Sequence, residues 1–168
     1  GEEWWMKAAG EGQADMDKTT SEKISEFKGI SSKSDAIPFK AFQDMAKHVH
    51  KWLETKYHDE MKVNTVSGAT ATKLTWKGAR AFCSISTGRI NYGEKFFKRI
   101  TNDNWHTVGY KSEKAYIQRH CKSKEDVALW VIFHEYQHLY KGCGKHVKSF
   151  FRKIENRFAQ DMKQLNHA

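Results

Sequence analysis

The chain has 168 residues, 39% of them hydrophobic, with 29 Lys and Arg against 20 Asp and Glu, a formal net charge of +9. That length suits one domain able to bury roughly 70% of its unfolded surface. Three cysteines without a CxxC pair exclude a disulfide framework, and the longest apolar run, residues 127–133, is far too short to span a membrane.

A reducing compartment follows, cytoplasmic or nuclear, with a virion as the other expectation. No segment reads as a signal peptide. Residues 1–36 are polar, rich in Gly, Ser, Lys and Glu, and carry five basic against eight acidic residues. With no sustained hydrophobic period they read as an extension, draped on or detached from a domain formed by residues 37–168. Trp4-Trp5 is the exception, a pair suited to docking on this domain or on a partner. The rest of the chain holds 24 basic against 12 acidic residues.

Pro38 opens a predicted helix over 38–57, with Phe39, Phe42, Met45, Ala46, Val49, Trp52 and Leu53 on one face. His48 and His50 point in different directions on it and read as surface or edge residues. Residues 73–76, 81–85 and 89–92 alternate instead and are split by Gly78 and Gly88, which predicts a small antiparallel sheet. Residues 101–122 are polar and read as an irregular connection or short strands. Ser123-Lys124-Glu125-Asp126 resembles a capping box and opens a helix over 124–141 that Gly142 and Gly144 end. A last helix, over 145–165, carries Val147, Phe150, Phe151, Ile154, Phe158, Met162 and Leu165 at helical spacing. Helix, sheet, then two helices make an α+β domain.

The chemistry is concentrated in residues 134–146, His-Glu-Tyr-Gln-His-Leu-Tyr-Lys-Gly-Cys-Gly-Lys-His. On a helix His134 and His138 lie one above the other, so both can bind one zinc ion. Glu135, between them, can reach a water on that metal without being a ligand. The neighbours Val131, Ile132, Phe133, Tyr136, Gln137, Leu139 and Tyr140 carry no charge, as a buried helix requires. An unpaired Glu135 in such a helix is costly, and a metal site accounts for it better than a hydrogen-bonded core does.

Catalytic zinc takes three protein ligands and keeps one position for water. The metzincin spacing needs Gly and His three and six residues beyond His138, where Lys141 and Gly144 stand. A thermolysin-like glutamate could only be Glu155, which lacks that family's surroundings and lies half a turn round the helix from His146. His146 is therefore the better third ligand. Phe150 follows it by four residues, placed to wedge the two helices. Cys143 reads as a small buried side chain in a tight loop rather than as a ligand.

His-Glu-x-x-His, a short loop with glycine, then His-x-x-x-Phe resembles the SprT-like metallopeptidases and their YgjP-like and WLM relatives. That set includes the Spartan-type proteases that digest proteins crosslinked to DNA. The matching residues are His134, Glu135, His138, His146 and Phe150, and Gly88-Arg89-Ile90-Asn91-Tyr92 is similar to the family's strand before the active-site helix. The resemblance implies a zincin-like domain: a small antiparallel sheet, an active-site helix, and a following helix that carries the third ligand. It further implies Zn2+ on His134, His138 and His146, Glu135 as catalytic base, and an edge strand able to pair with an extended peptide.

Two functions compete. In a zinc endopeptidase Glu135 takes the proton of the attacking water and delivers it to the leaving amine. Tyr92, Tyr110, Tyr116, Tyr136 and Tyr140 are the candidate oxyanion donors. Its partner is a protein or peptide substrate, with nucleic acid as a further candidate and no membrane. Lys95-Phe96-Phe97-Lys98-Arg99 and Phe151-Arg152-Lys153 interleave aromatics with bases, as single-strand binders and ordinary amphipathic elements both do. The alternative is a non-catalytic structural or assembly protein of virion type that retains the peptidase-like zinc fold. The Gly1 start, acidic arm and basic body suit that alternative, whereas an intact Glu135 argues against it.

Overall fold

The computed structural model describes residues 2–62, 70–72, 80–141, 143 and 145–168, and only the backbone of 2–11 and 70–72. It is an α+β arrangement. Among the described residues six helices run as α1 (Glu2–Ser31), α2 (Phe39–Lys56), α3 (Glu94–Arg99), α4 (Lys114–His120), α5 (Lys124–Gln137) and α6 (Lys148–Asn166). Of the described residues between α2 and α3, three stretches are strands, β1 (Thr70–Thr72), β2 (Ala81–Ser84) and β3 (Arg89–Gly93).

Helix α5 is the centre of the fold. It is apolar nearly all round, and such a helix is stable only when surrounded. Residues 127–132 have no exposed surface, and α1, α2, α4, α6 and β2 all pack against it. Its start is fixed by the predicted cap. Ser123 Oγ accepts from the Asp126 amide at 3.3 Å, and Asp126 Oδ2 accepts from the Lys122 amide at 2.9 Å. Its end comes earlier than residue 141, because the 58–62 segment crosses it. Lys62 N donates to Leu139 O at 2.7 Å, Lys141 N donates to Glu60 O at 2.8 Å, and Met61 bridges Tyr140.

Every residue of the predicted α2 face is buried, from Phe39 to Leu53. His50 is buried with them, at 2% exposure, which corrects its reading as a surface or edge residue. It lies four residues after Ala46 and three before Leu53, on the buried face, and its Nε2 stands 2.7 Å from the Tyr92 hydroxyl. His48 is half-buried, its Nδ1 2.9 Å from the Asp44 carbonyl.

Residues 2–36, expected as an extension draped on or detached from the domain, are mostly helical and lie against it. Helix α1 occupies most of them and places Met16, Thr20, Ile24, Phe27 and Ser31, spaced by three and four residues, on the side that meets the core. Only three of those five are strongly apolar, so the period escapes a hydrophobicity reading. Polar ties add to the packing: Asp17 Oδ1 accepts from Trp52 Nε1 of α2 at 2.6 Å, and its carboxylate accepts from Gln164 Nε2 of α6 at 3.2 Å. The side chains of Trp4 and Trp5 lie outside the described residues.

The sheet has the order β1-β3-β2. The expected antiparallel pair is β2 with β3, but β1 runs parallel to β3, so the sheet is mixed. The strand expected at 73–76 lies outside the described residues. The strand before the active-site helix, which the resemblance makes an edge, is β3, and it is central; among the described residues β2 is an edge. Residues 101–122 hold helix α4 and a single 3-10 turn at Trp105–Thr107 rather than strands. No helix among the described residues is long and apolar enough to cross a membrane.

Candidate metal centre

Helix α5 carries His134 into its last turn. His138 follows as the cap residue and keeps helical dihedrals of φ −64° and ψ −22°, so the two imidazoles stay on one face. His146 arrives from the other side. It lies two residues ahead of α6 rather than on it, because extended backbone at Val147 (φ −98°, ψ 167°) delays the helix. That corrects the expectation of a third histidine on the following helix. Ligand nitrogens of His134, His138 and His146 all lie within 4.8 Å of one another. Nε2 of His134 and Nε2 of His146 are 3.1 Å apart. Two nitrogens at about 2.0–2.1 Å from one tetrahedral zinc stand about 3.3 Å apart.

Phe150 forms the floor. Its ring centre lies 4.6 Å from that of His138 and 5.3 Å from those of His134 and His146. Tyr110 covers His146 from outside, with ring centres 4.5 Å apart.

Two residues of the site carry no motif. Glu113, fully buried ahead of α4, accepts a hydrogen bond from Nδ1 of His134. Arg80, ahead of β2, forks onto the same carboxylate, with Nη1 2.8 Å from Oε1 and Nη2 3.0 Å from Oε2. Arg80 Nη2 also stands 2.5 Å from His134 Nδ1. That nitrogen has one hydrogen-bonding position, and the carboxylate takes it. His134 is then protonated at Nδ1, which leaves the Nε2 lone pair facing His146 and His138.

The electrostatics keep the three rings neutral. Burial pushes His134 down to about 3, helped by Arg80 and opposed by Glu113, so the ring is neutral at neutral pH. Burial pushes His138 down to about 4, with His146, Lys62 and Arg80 adding to it, and it lowers His146 as well. Burial works upward on Glu113, but Arg80 and His134 overcome it and hold this carboxyl well below the usual range. Glu135 is the opposite case. Burial pushes it up to about 7, against the pull of Arg80 and with a push from Glu113. Its Oε1 is 4.0 Å from His134 Nε2.

One side of the cluster is open. Among the described residues no fourth ligating side chain joins the three histidines, and His146 is exposed. A cleft of about 730 Å³ begins there, lined by Glu135, His138, His146 and Tyr110 at the cluster and by β2 along one wall. Gly93 N donates to Arg80 O at 2.9 Å, and the register pairs Phe82 with Asn91. Antiparallel alternation then turns the backbone groups of Ala81 and Cys83 toward the opposite edge, which no described strand occupies.

Of the candidate tyrosines, Tyr110 alone lines the cleft. Tyr92 binds His50, Tyr136 and Tyr140 are buried in the core, and Tyr116 lies beneath the Arg119 guanidinium. Cys143 is buried and accepts from Gln137 Nε2 at 3.1 Å, outside the histidine group. Glu155 pairs with Arg119 and His120, also outside it. In the two basic-aromatic runs Phe97 and Phe151 have no exposed surface, while Lys95, Lys98, Arg152 and Lys153 are exposed, so both runs follow amphipathic helices. No family model, curated protein or solved structure matches this chain. The resemblance to SprT-like metallopeptidases rests on the motif residues.

Proposed function

We propose that the chain is a zinc-dependent peptidase that hydrolyses peptide bonds with water. The observation that carries this reading is the convergence of His134, His138 and His146 on one point, open on the cleft side, with Glu135 beside it. An all-imidazole donor set suits zinc, and three ligands with an open side are the arrangement of catalytic rather than structural zinc. Bound zinc supplies Lewis acidity and brings the pKa of water to about 7.

The chain's own residues then have distinct tasks. Glu113 and Arg80 hold His134 in the tautomer whose Nε2 is free to ligate. Phe150 keeps the three rings from collapsing into the core. Glu135 takes the proton of the attacking water and returns it to the leaving amine. Tyr110, which lines the cleft beside His146, is the candidate donor to the developing oxyanion. The edge of β2 away from β3, which no described strand occupies, is the candidate place for an extended substrate.

The test is metal content and hydrolysis of an unfolded protein such as casein, for wild type and Glu135→Gln. The reading expects one zinc per chain in both proteins and cleavage in wild type only. Wild type without zinc, or equal cleavage by both, would overturn it.

A further inference from the structure

Gly109 stands one residue before Tyr110 and four before Glu113, the residues that meet His146 and His134. Its φ is +105°, a conformation open to glycine but strained for a residue with a side chain. Directly after this turn the Tyr110 carbonyl accepts from the amides of Glu113 at 2.8 Å and Lys114 at 3.0 Å, which ties the loop to the start of α4. The Tyr110 ring is thereby held on the outer side of the histidines. Its centre lies 4.5 Å from that of His146 and 5.5 Å from the Arg80 guanidinium carbon. The Glu113 carboxylate is held on the inner side, with no exposed surface.

The missing side chain matters as much as the turn. A methyl carbon on Gly109 would stand 2.8 Å from Glu113 Oε1 and 2.7 Å from Ile117 Cδ1. Carbons in contact prefer about 3.5–4.0 Å, so something has to move. Ile117 is fully buried and has little room to give. The Glu113 carboxylate can give only by turning away from its partners. Its Oε1 is the oxygen that Arg80 Nη1 binds at 2.8 Å, and its Oε2 is the one that holds His134 Nδ1. A side chain at position 109 therefore acts on His134 without touching it.

We propose that Gly109 is a positioning residue of the metal centre: the space left by its absent side chain is what lets the Glu113 carboxylate hold His134 in the ligating tautomer. The proposal rests on zinc ligation by the three histidines and adds to them a residue that has no side chain to ligate.

Two readouts on the full chain test it, and neither needs turnover. Zinc affinity is measured by chelator competition, and the His134 ring nitrogens of metal-free protein by nitrogen NMR. Wild type should show His134 protonated at Nδ1. Gly109→Ala should mix the two tautomers and weaken zinc binding about tenfold or more, as loss of a group that orients a ligand does. Loop strain alone could weaken binding too, so the substitution is repeated in a Glu113→Asp background, whose shorter side chain withdraws from position 109. There Gly109→Ala should cost about threefold or less, because the two positions are coupled through the carboxylate. Adding Ile117→Val removes the Cδ1 contact and should recover the melting temperature of Gly109→Ala, while zinc binding stays weak. Zinc affinity of Gly109→Ala within about threefold of wild type, an unchanged His134 tautomer, an equal loss in the Glu113→Asp background, or recovery of zinc affinity with Ile117→Val would overturn the proposal. Cleavage is scored separately. Zinc bound without cleavage removes the peptidase reading and leaves Gly109 in its role. Cleavage by wild type, with Gly109→Ala binding zinc equally well, does the reverse, and wild type without zinc removes both.

Discussion

Glu113 accepts a hydrogen bond from Nδ1 of His134, a contact between a buried carboxylate and a buried imidazole 21 residues apart. The pair sets which nitrogen of His134 is free. Carboxylates in this position typically contribute about 10–100-fold to metal affinity. Glu113→Gln should lower zinc affinity by that factor in chelator competition. It also leaves Arg80 buried without its charge partner, so unfolding should become easier by about 3–5 kcal/mol. Zinc affinity within about threefold of wild type would remove Glu113 from the site.

The metal-free protein should be acid-sensitive through its histidines. Burial holds His134 at about 3 and His138 at about 4, whereas an unfolded histidine titrates near 6.5. Between those values the unfolded chain binds more protons than the folded one. The stability is therefore fully present above about pH 6.5 and is lost as pH falls through 4 and 3. Thermal melts of metal-free protein should show a clear drop in midpoint from pH 7.5 to pH 5, and His138→Gln should reduce the drop. Equal midpoints at the two pH values would contradict the buried neutral imidazoles.

What the sequence discloses and what it hides divide along physical lines. Helix α2 is legible because its core positions are large and apolar, and α5 because a cap, an apolar run and two histidines coincide. His50 is misread since a polar side chain on a buried face looks like a surface residue, although its spacing from Ala46 and Leu53 places it inside. The histidine triplet is legible because helical spacing fixes two members. Arg80 and Glu113 are not, because they come from a strand entrance and a loop that only the tertiary fold brings beside His134.

Helix α1 tests that division directly. Phe27 is 1% exposed and meets the Phe42 ring edge-on, with centroids 6.3 Å apart. If α1 is built into the core, Phe27→Ala should cost about 3–5 kcal/mol in urea unfolding, as for other buried aromatics. Lys33→Ala, at an exposed position beyond the helix, should change almost nothing. A Phe27→Ala protein as stable as wild type would show that α1 adds nothing to the core.

Arg157 reaches the end of helix α5 from α6 without touching a histidine. Its guanidinium lies 4.1 Å from the ring centres of both Tyr57 and Tyr140, and it forks onto Glu60 at 2.8 and 3.3 Å. This clamp secures the 58–62 segment, from which Lys62 Nζ donates to the His138 carbonyl at 3.2 Å. Arg157→Met keeps the side chain's bulk but removes both the fork and the cation over the rings, and should cost about 1–2 kcal/mol. Arg157→Lys should recover little, because an ammonium cannot fork. The amides of Lys62 and Lys141, bonded across this junction, should exchange with deuterium faster in both variants, while those of 127–132 at the centre of α5 stay protected. Unchanged exchange at Lys62 and Lys141 would show that the junction holds without Arg157, and that the end of α5 is fixed by its backbone pairing alone.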